Sequence, residues 1–205
     1  MINWDTLTAM QMDALREIGN IGAGNAATAL AQMVQRKINM EVPKAGVMRF
    51  EDIFHLVGTE EEVVACVNFA VQGEAPGRIL FVLNQASTFP LVDMLMGIPM
   101  GTTHELDDMG KSAVQEIGNI LTGSFLSAFS QVTGITFLAS VPALAFDMLG
   151  AVLSTALIEG GYYSDRVLVI ETQFYEQDVR LNGHFFLLPK AEALTTILNA
   201  LGINQ

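Results

Sequence analysis

The stretch Asp13-Ala-Leu-Arg-Glu17-Ile-Gly-Asn20-Ile-Gly-Ala-Gly24 aligns without gaps on Ser112-Ala-Val-Gln-Glu116-Ile-Gly-Asn119-Ile-Leu-Thr-Gly123. The agreement continues through Ala29/Ala128 and Gln32/Gln131 to Val42-Pro43 and Val141-Pro142, so both copies obey the pattern [D/S]-x3-E-x2-N-x22-P. An internal repeat constrains the whole architecture and takes precedence over local propensity. At about 100° per residue, Asp13, Glu17 and Asn20 fall within roughly 60° of arc, with Leu15, Ile18, Ile21 and Gly22 on the other side. Ser112, Glu116 and Asn119 cluster in the same way, opposite Val114, Ile117, Ile120 and Leu121. Each copy therefore predicts a helix that shows one Glu and one Asn on a polar face. The start signals agree, since Thr8 with Gln11 can form a capping box and Asp107 can cap the second helix.

Downstream of each predicted helix the text changes to short β-branched and aromatic runs. They cover residues 38–42, 47–50, 63–71 and 78–83 in the first copy and 135–140, 167–174 and 184–188 in the second. Each copy closes with an apolar helix, near 87–96 and 192–201, stopped by Gly97 or Gly202. The expected fold is a pseudo-symmetric α/β domain made of two repeats, about 8–104 and 107–203. The copies part after the proline: the first has a strand-like 47–50 and a short helix at 51–56, the second a longer helix at 146–159.

Composition narrows the function. With 51% hydrophobic residues among 205 the chain can bury a large core, and disorder is excluded. Ten Lys and Arg against 22 Asp and Glu give a formal net charge of -12, the opposite of a nucleic-acid footprint. The same charge disfavours anionic lipid and suits a protein partner with a cationic rim. The most apolar window, 141–158, holds Asp147 and several small residues and reads as a packed or docking helix rather than a bilayer span. The start Met-Ile-Asn-Trp-Asp lacks a signal-peptide pattern, so a cytoplasmic protein is expected. The single cysteine, Cys66, lies in an apolar run and reads as a buried strand residue.

No self-sufficient catalytic set is present. His55, His104 and His184 lack the clustered partners of a metal site, and neither a nucleophile elbow nor a P-loop occurs. The glycines Gly19, Gly22 and Gly24 are assigned to the packed side of the first helix, where they let helices or sheet approach closely. A solvated surface would account for any single Glu and Asn at this spacing. The pair recurs, however, while the neighbouring Arg16 becomes Gln115, and Asn is a mediocre helix-interior residue. An amide both donates and accepts hydrogen bonds and can hold a water in line with phosphorus, while a carboxylate beside it can pair with a lysine. Such a face suits a substrate that brings its own metal and activated phosphoryl group, leaving positioning and electrostatics to be added. A phosphorylated receiver domain is that substrate.

At these residues the sequence resembles the CheC family of chemotaxis phosphatases, the group that includes CheX and FliY, and the resemblance spans essentially the whole chain. It implies an α/β (α+β), internally duplicated, pseudo-two-fold domain with an antiparallel-rich sheet and two long helices carrying the motifs on one face. By the resemblance, Glu17 and Glu116 pair with the receiver's active-site Lys, and Asn20 and Asn119 orient the attacking water. Asp13, Ser112, Pro43 and Pro142 occupy supporting motif positions. The implied substrate is phosphorylated CheY; the implied metal is Mg²⁺ supplied by that regulator, with no intrinsic cofactor. The receptor deamidase CheD is an implied second partner, with Asp147, Met148, Gly150, Ala151 and Ser154 on the extra helix as its contacts. The alternative is a non-catalytic binding or adaptor protein for phosphorylated CheY, or a regulator of CheD.

Overall fold

The computed structural model describes residues 8–35, 37–160, 166–176, 179–190 and 192–200. The chain opens with α1 (Ala9–Val34), then β1 (Asn39–Arg49), a 3-10 turn (Phe50–Asp52), α2 (Ile53–Val57), β2 (Val63–Gly73), β3 (Gly77–Asn84) and α3 (Gln85–Met96). It continues with α4 (Asp108–Thr133), β4 (Phe137–Ala139), β5 (Ala143–Met148), α5 (Leu149–Gly160), β6 (Arg166–Glu176), β7 (Val179–Pro189) and α6 (Ala193–Ala200). All seven strands form one antiparallel sheet ordered β1-β6-β7-β3-β2-β4, with β5 following β4 along the same edge of β2. The edge strand β1 thus pairs with a strand of the second half, and β4 and β5 pair with a strand of the first.

Alternate side chains of the pleat point to opposite faces, and both faces are covered. On one, α1 and α4 pack with Phe69, Phe81, Phe125, Phe129, Phe174 and Phe185 in the larger cluster. On the other, Ile53 and Val57 of α2 and Leu149, Val152, Leu153 and Ala156 of α5 cover Val64, Cys66, Leu80, Val82, Phe186 and Leu188. Burying each of the larger apolar side chains contributes about 1.5–3 kcal/mol, so the second helix of each half is present because the reverse side of the sheet is apolar too. Cys66 lies buried on this side, with burial alone raising its thiol to about 12, consistent with a packing residue.

The cap signals read correctly. Thr8 Oγ1 accepts from Gln11 N–H at 3.3 Å while Gln11 Oε1 accepts from Thr8 N–H at 2.7 Å, and Asp107 Oδ1 accepts from Gly110 N–H at 2.7 Å. Gly97 ends α3 in the left-handed conformation; Gly202 lies outside the described residues. Two expectations are corrected. The runs expected at 38–42 and 47–50 merge into one strand, β1 (Asn39–Arg49), interrupted by a bulge at Val42 and Pro43 rather than by a loop, with Phe50 already in the 3-10 turn. The helix expected at 146–159 begins only at Leu149, because residues 143–148 extend along β2 as β5.

The linker between the halves is tied down by a fully buried carboxylate. Asp93 of α3 accepts hydrogen bonds from the N–H groups of Gly101, Thr102 and Thr103 and from Thr103 Oγ1, at 2.6–3.1 Å. Burial alone would raise its pKa, but these four donors outweigh it and hold the carboxyl below its ordinary value. The anchored linker leads directly into the Asp107 cap of α4.

Candidate functional site

Within α1, Gly19 lies between Glu17 and Asn20 but on the opposite side of the helix, where a methyl group would sit 3.2 Å from Val42 Cγ1 of β1. In α4, Gly118 has the same role more tightly, at 2.7 Å from Val67 of β2. The absent side chain lets each helix lie close on the sheet and turns its Glu and Asn outward. Glu17, Asn20, Glu116 and Asn119 are all exposed, while Ile18 and Ile117 beside them are buried. Among the described residues, no hydrogen bond or ion pair engages the side chains of these four. Two long helices packed against each other thus present two Glu/Asn pairs, each one turn apart, where i and i+3 side chains are neighbours.

The flanking motif positions differ in behaviour. Asp13 is paired with Arg16 on its own helix, Oδ1 to Nη2 at 3.2 Å. Ser112 instead donates to the Asp108 carbonyl at 2.9 Å. Pro43 and Pro142 stand apart from the helical faces, at corresponding irregularities of the two edge strands. Val42 and Pro43 together oppose one residue of β6, and Ser140, Val141 and Pro142 together oppose two residues of β2. An edge bulge is where a strand tolerates a residue without an N–H, and in the first half it delivers Val42 onto Gly19.

The remaining sequence candidates, Met148 apart, gather on the other side of the sheet. Asp147 and Met148 lie exposed on β5, not on a helix; Ala151 and Ser154 are exposed on α5, and Gly150 packs against Glu60, donating to its carbonyl at 2.9 Å. A small cleft of about 110 Å³ runs between β5 and α5, with Ala145, Asp147, Ala151 and Thr155 in its walls. Ile158 of α5 is exposed by 81%, whereas Phe146 and Met148, opposite Ala65 and Val63, point to the other face of the sheet, where Phe146 meets Phe89 of α3.

Gly24 does not lie on the packed side as its sequence context suggested. It is exposed with open space around it, on the Glu/Asn face, and so is Gly123. The spacing of seven from Glu17 and four from Asn20 was the available signal. Among the described residues, no group of three or more His, Cys, Asp or Glu could hold a metal ion, and no helix is long and apolar enough to cross a membrane.

A layered α/β fold with two unengaged Glu/Asn helices defines the class, and comparisons with known proteins give it a family. The structure superposes on Thermotoga maritima FliY with a TM-score of 0.79 at 23% identity, over 98% of this chain and 100% of that one. It superposes on the FliM middle domain from H. pylori with a TM-score of 0.72 at 12% identity, over 95% and 99% of the two chains. The model of the CheC-like family matches residues 10–47 and 109–145, and each match contains one Glu/Asn pair. The chain is 36% identical to the Bacillus subtilis CheY-P phosphatase CheC over 94% of either protein. The chain belongs to the CheC-like family.

Proposed function

We propose that this protein is a hydrolase that removes the aspartyl-phosphate of phosphorylated CheY, using two sites built on α1 and α4. The observation that carries this reading is the presentation of both Glu/Asn pairs, exposed and unengaged, in a chain 36% identical to a CheY-P phosphatase. In each site the Asn amide (Asn20 or Asn119) enters the receiver and holds water in line with phosphorus, donating through its N–H and accepting through its carbonyl. The Glu (Glu17 or Glu116) pairs with the receiver's lysine and fixes the docking register. The chain contributes no nucleophile; the activated phosphoryl group and the Mg²⁺ belong to the regulator. Catalysis then consists of positioning and electrostatic complementarity, which phosphoryl transfer rewards because little covalent chemistry is left to supply. Asp13, Ser112, Pro43 and Pro142 support the two helices, in a domain built from two repeats, about 8–104 and 107–203, that acts in the cytoplasm.

For the receptor deamidase CheD we propose the β5/α5 surface, with Asp147, Met148, Gly150, Ala151 and Ser154. The exposed Ile158 of α5 and the cleft between β5 and α5 support a protein partner there. The enzymatic reading is tested by following phosphorylated, Mg²⁺-loaded CheY with and without the protein. Faster decay is expected. Capture of phosphorylated CheY without faster decay would replace the enzyme by a binding or adaptor protein.

A further inference from the structure

Gly24 and Gly123 lie in the interior of α1 and α4, where glycine is the poorest helix former after proline. Three internal reasons for a helical glycine fail at both positions. Neither residue has a positive φ, and neither caps its helix, because α1 ends at Gln35 and α4 at Gly134. Neither is needed for packing, since a methyl group at either would meet nothing within 4 Å. The contrast with Gly19, Gly22 and Gly118 is direct: there a methyl group would approach Val42, Phe125 or Val67 to between 2.5 and 3.2 Å. Around them the two helices diverge, Gly22 to Leu121, Ala23 to Thr122 and Asn25 to Ser124, while this glycine stays. Both stand on the Glu/Asn face, one turn beyond the Asn.

We propose that Gly24 and Gly123 are the places where main chain of the phosphorylated receiver seats directly on the two helices. The missing side chain sets how far Asn20 and Asn119 reach toward the phosphoryl group. The occupant is receiver backbone, because a helix position without a side chain admits the close main-chain approach that a Cβ and anything beyond it would block. This inference rests on the phosphatase reading and makes the two glycines positioning residues of that site.

The test compares the full-length protein with its Gly24→Leu/Gly123→Leu and Gly24→Ala/Gly123→Ala variants. Thermal unfolding, turnover of phosphorylated CheY and binding of beryllofluoride-loaded CheY are measured for each. Both variants should unfold at or above the wild-type temperature, since each replacement favours helix in open space. The leucine pair should raise KM and weaken binding about tenfold or more, and the alanine pair should do so by less. Wild-type binding and turnover in a folded leucine pair would overturn the inference while leaving the phosphatase intact. Should the leucine pair fail to fold, an alanine pair with unchanged KM and binding would overturn it. A wild-type protein that neither binds nor turns over phosphorylated CheY would instead remove the phosphatase reading, and this inference with it.

Discussion

Helices α1 and α4 carry the same Glu and Asn at the same spacing, yet they reach that presentation through different surroundings. In α1 the flank is Asp13 paired with Arg16; in α4 the corresponding residues are Ser112 and Gln115. Asp13 on its own would load the first site with extra negative charge, but Arg16 accompanies it, so the local charge beside each Glu is the same. Between the helices the division is also unequal. Gly22 of α1 forms the hollow that Phe125 of α4 fills, and Phe125 packs onward against Phe185 with ring centroids 4.6 Å apart. One helix supplies small residues and the other large ones. Between the two copies the sequence drifts around the site while the exposed pair, the glycine behind it and the glycine one turn beyond the Asn stay fixed.

The largest expected effect tests whether both helices work. Asn20→Ala or Asn119→Ala should cut turnover at its own site on the order of 10²-fold, about 3 kcal/mol. Each single variant then reports the other helix, and the residual rates of the two variants should sum to the wild-type rate. A single substitution that abolishes all turnover would break the equivalence and assign the chemistry to one helix.

Next comes a difference in the sheet beneath them. Val82 of β3, fully buried, stands across the centre of the sheet from His184 of β7, whose Nδ1 is buried without a partner. Burial pushes this imidazole down to about 4 from the ordinary 6.5. Because the folded-state value is the lower one, the neutral ring's contribution is complete above about pH 6.5 and is lost as pH falls toward 4, amounting to about 3 kcal/mol. Replacing His184 by Leu should abolish that component in urea unfolding compared at pH 7 and pH 4. A parallel pH dependence in both proteins would contradict it.

The glycines behind the motifs should separate by less. Gly118→Ala forces a methyl group against Val67 and should destabilise by about 1–3 kcal/mol. Gly19→Ala needs only a small shift of Val42 and should stay within about 1 kcal/mol of wild type, helix propensity offsetting the contact. Denaturation midpoints distinguish them. The smallest effect lies at the helix ends: α1 closes on Gln35 in the left-handed conformation at φ 53°, where α4 uses Gly134 at φ 72°. Gln35→Gly should raise thermal stability, by up to about 1 kcal/mol.

What could be read in the sequence was local. Caps at Thr8 and Asp107 and the 3.6-residue stripe of Glu and Asn depend only on neighbours along the chain, and they located both helices and both candidate pairs. Residues 146–148 were assigned to the helix because they run without a break into the helix-forming stretch that follows; pairing of Met148 with Val63 and of Ala143 with Asn68, some 80 residues away, makes 143–148 a strand. Residues 38–42 and 47–50 were likewise read as separate runs until the register joined them through an edge bulge at Pro43. The exchange of edge strands between halves, which seats Val42 on Gly19, is non-local and left no sequence signal. Gly24 was assigned to the wrong side because it was grouped with Gly19 and Gly22, although its spacing from Glu17 pointed outward.

The central claim is that the two Glu/Asn faces are the phosphatase. The direct measurement is the decay of phosphorylated, Mg²⁺-loaded CheY in the presence of wild-type protein and of the Asn20→Ala/Asn119→Ala double variant. Accelerated decay with wild type that disappears in a folded double variant is the predicted result; equal acceleration by both proteins would contradict it.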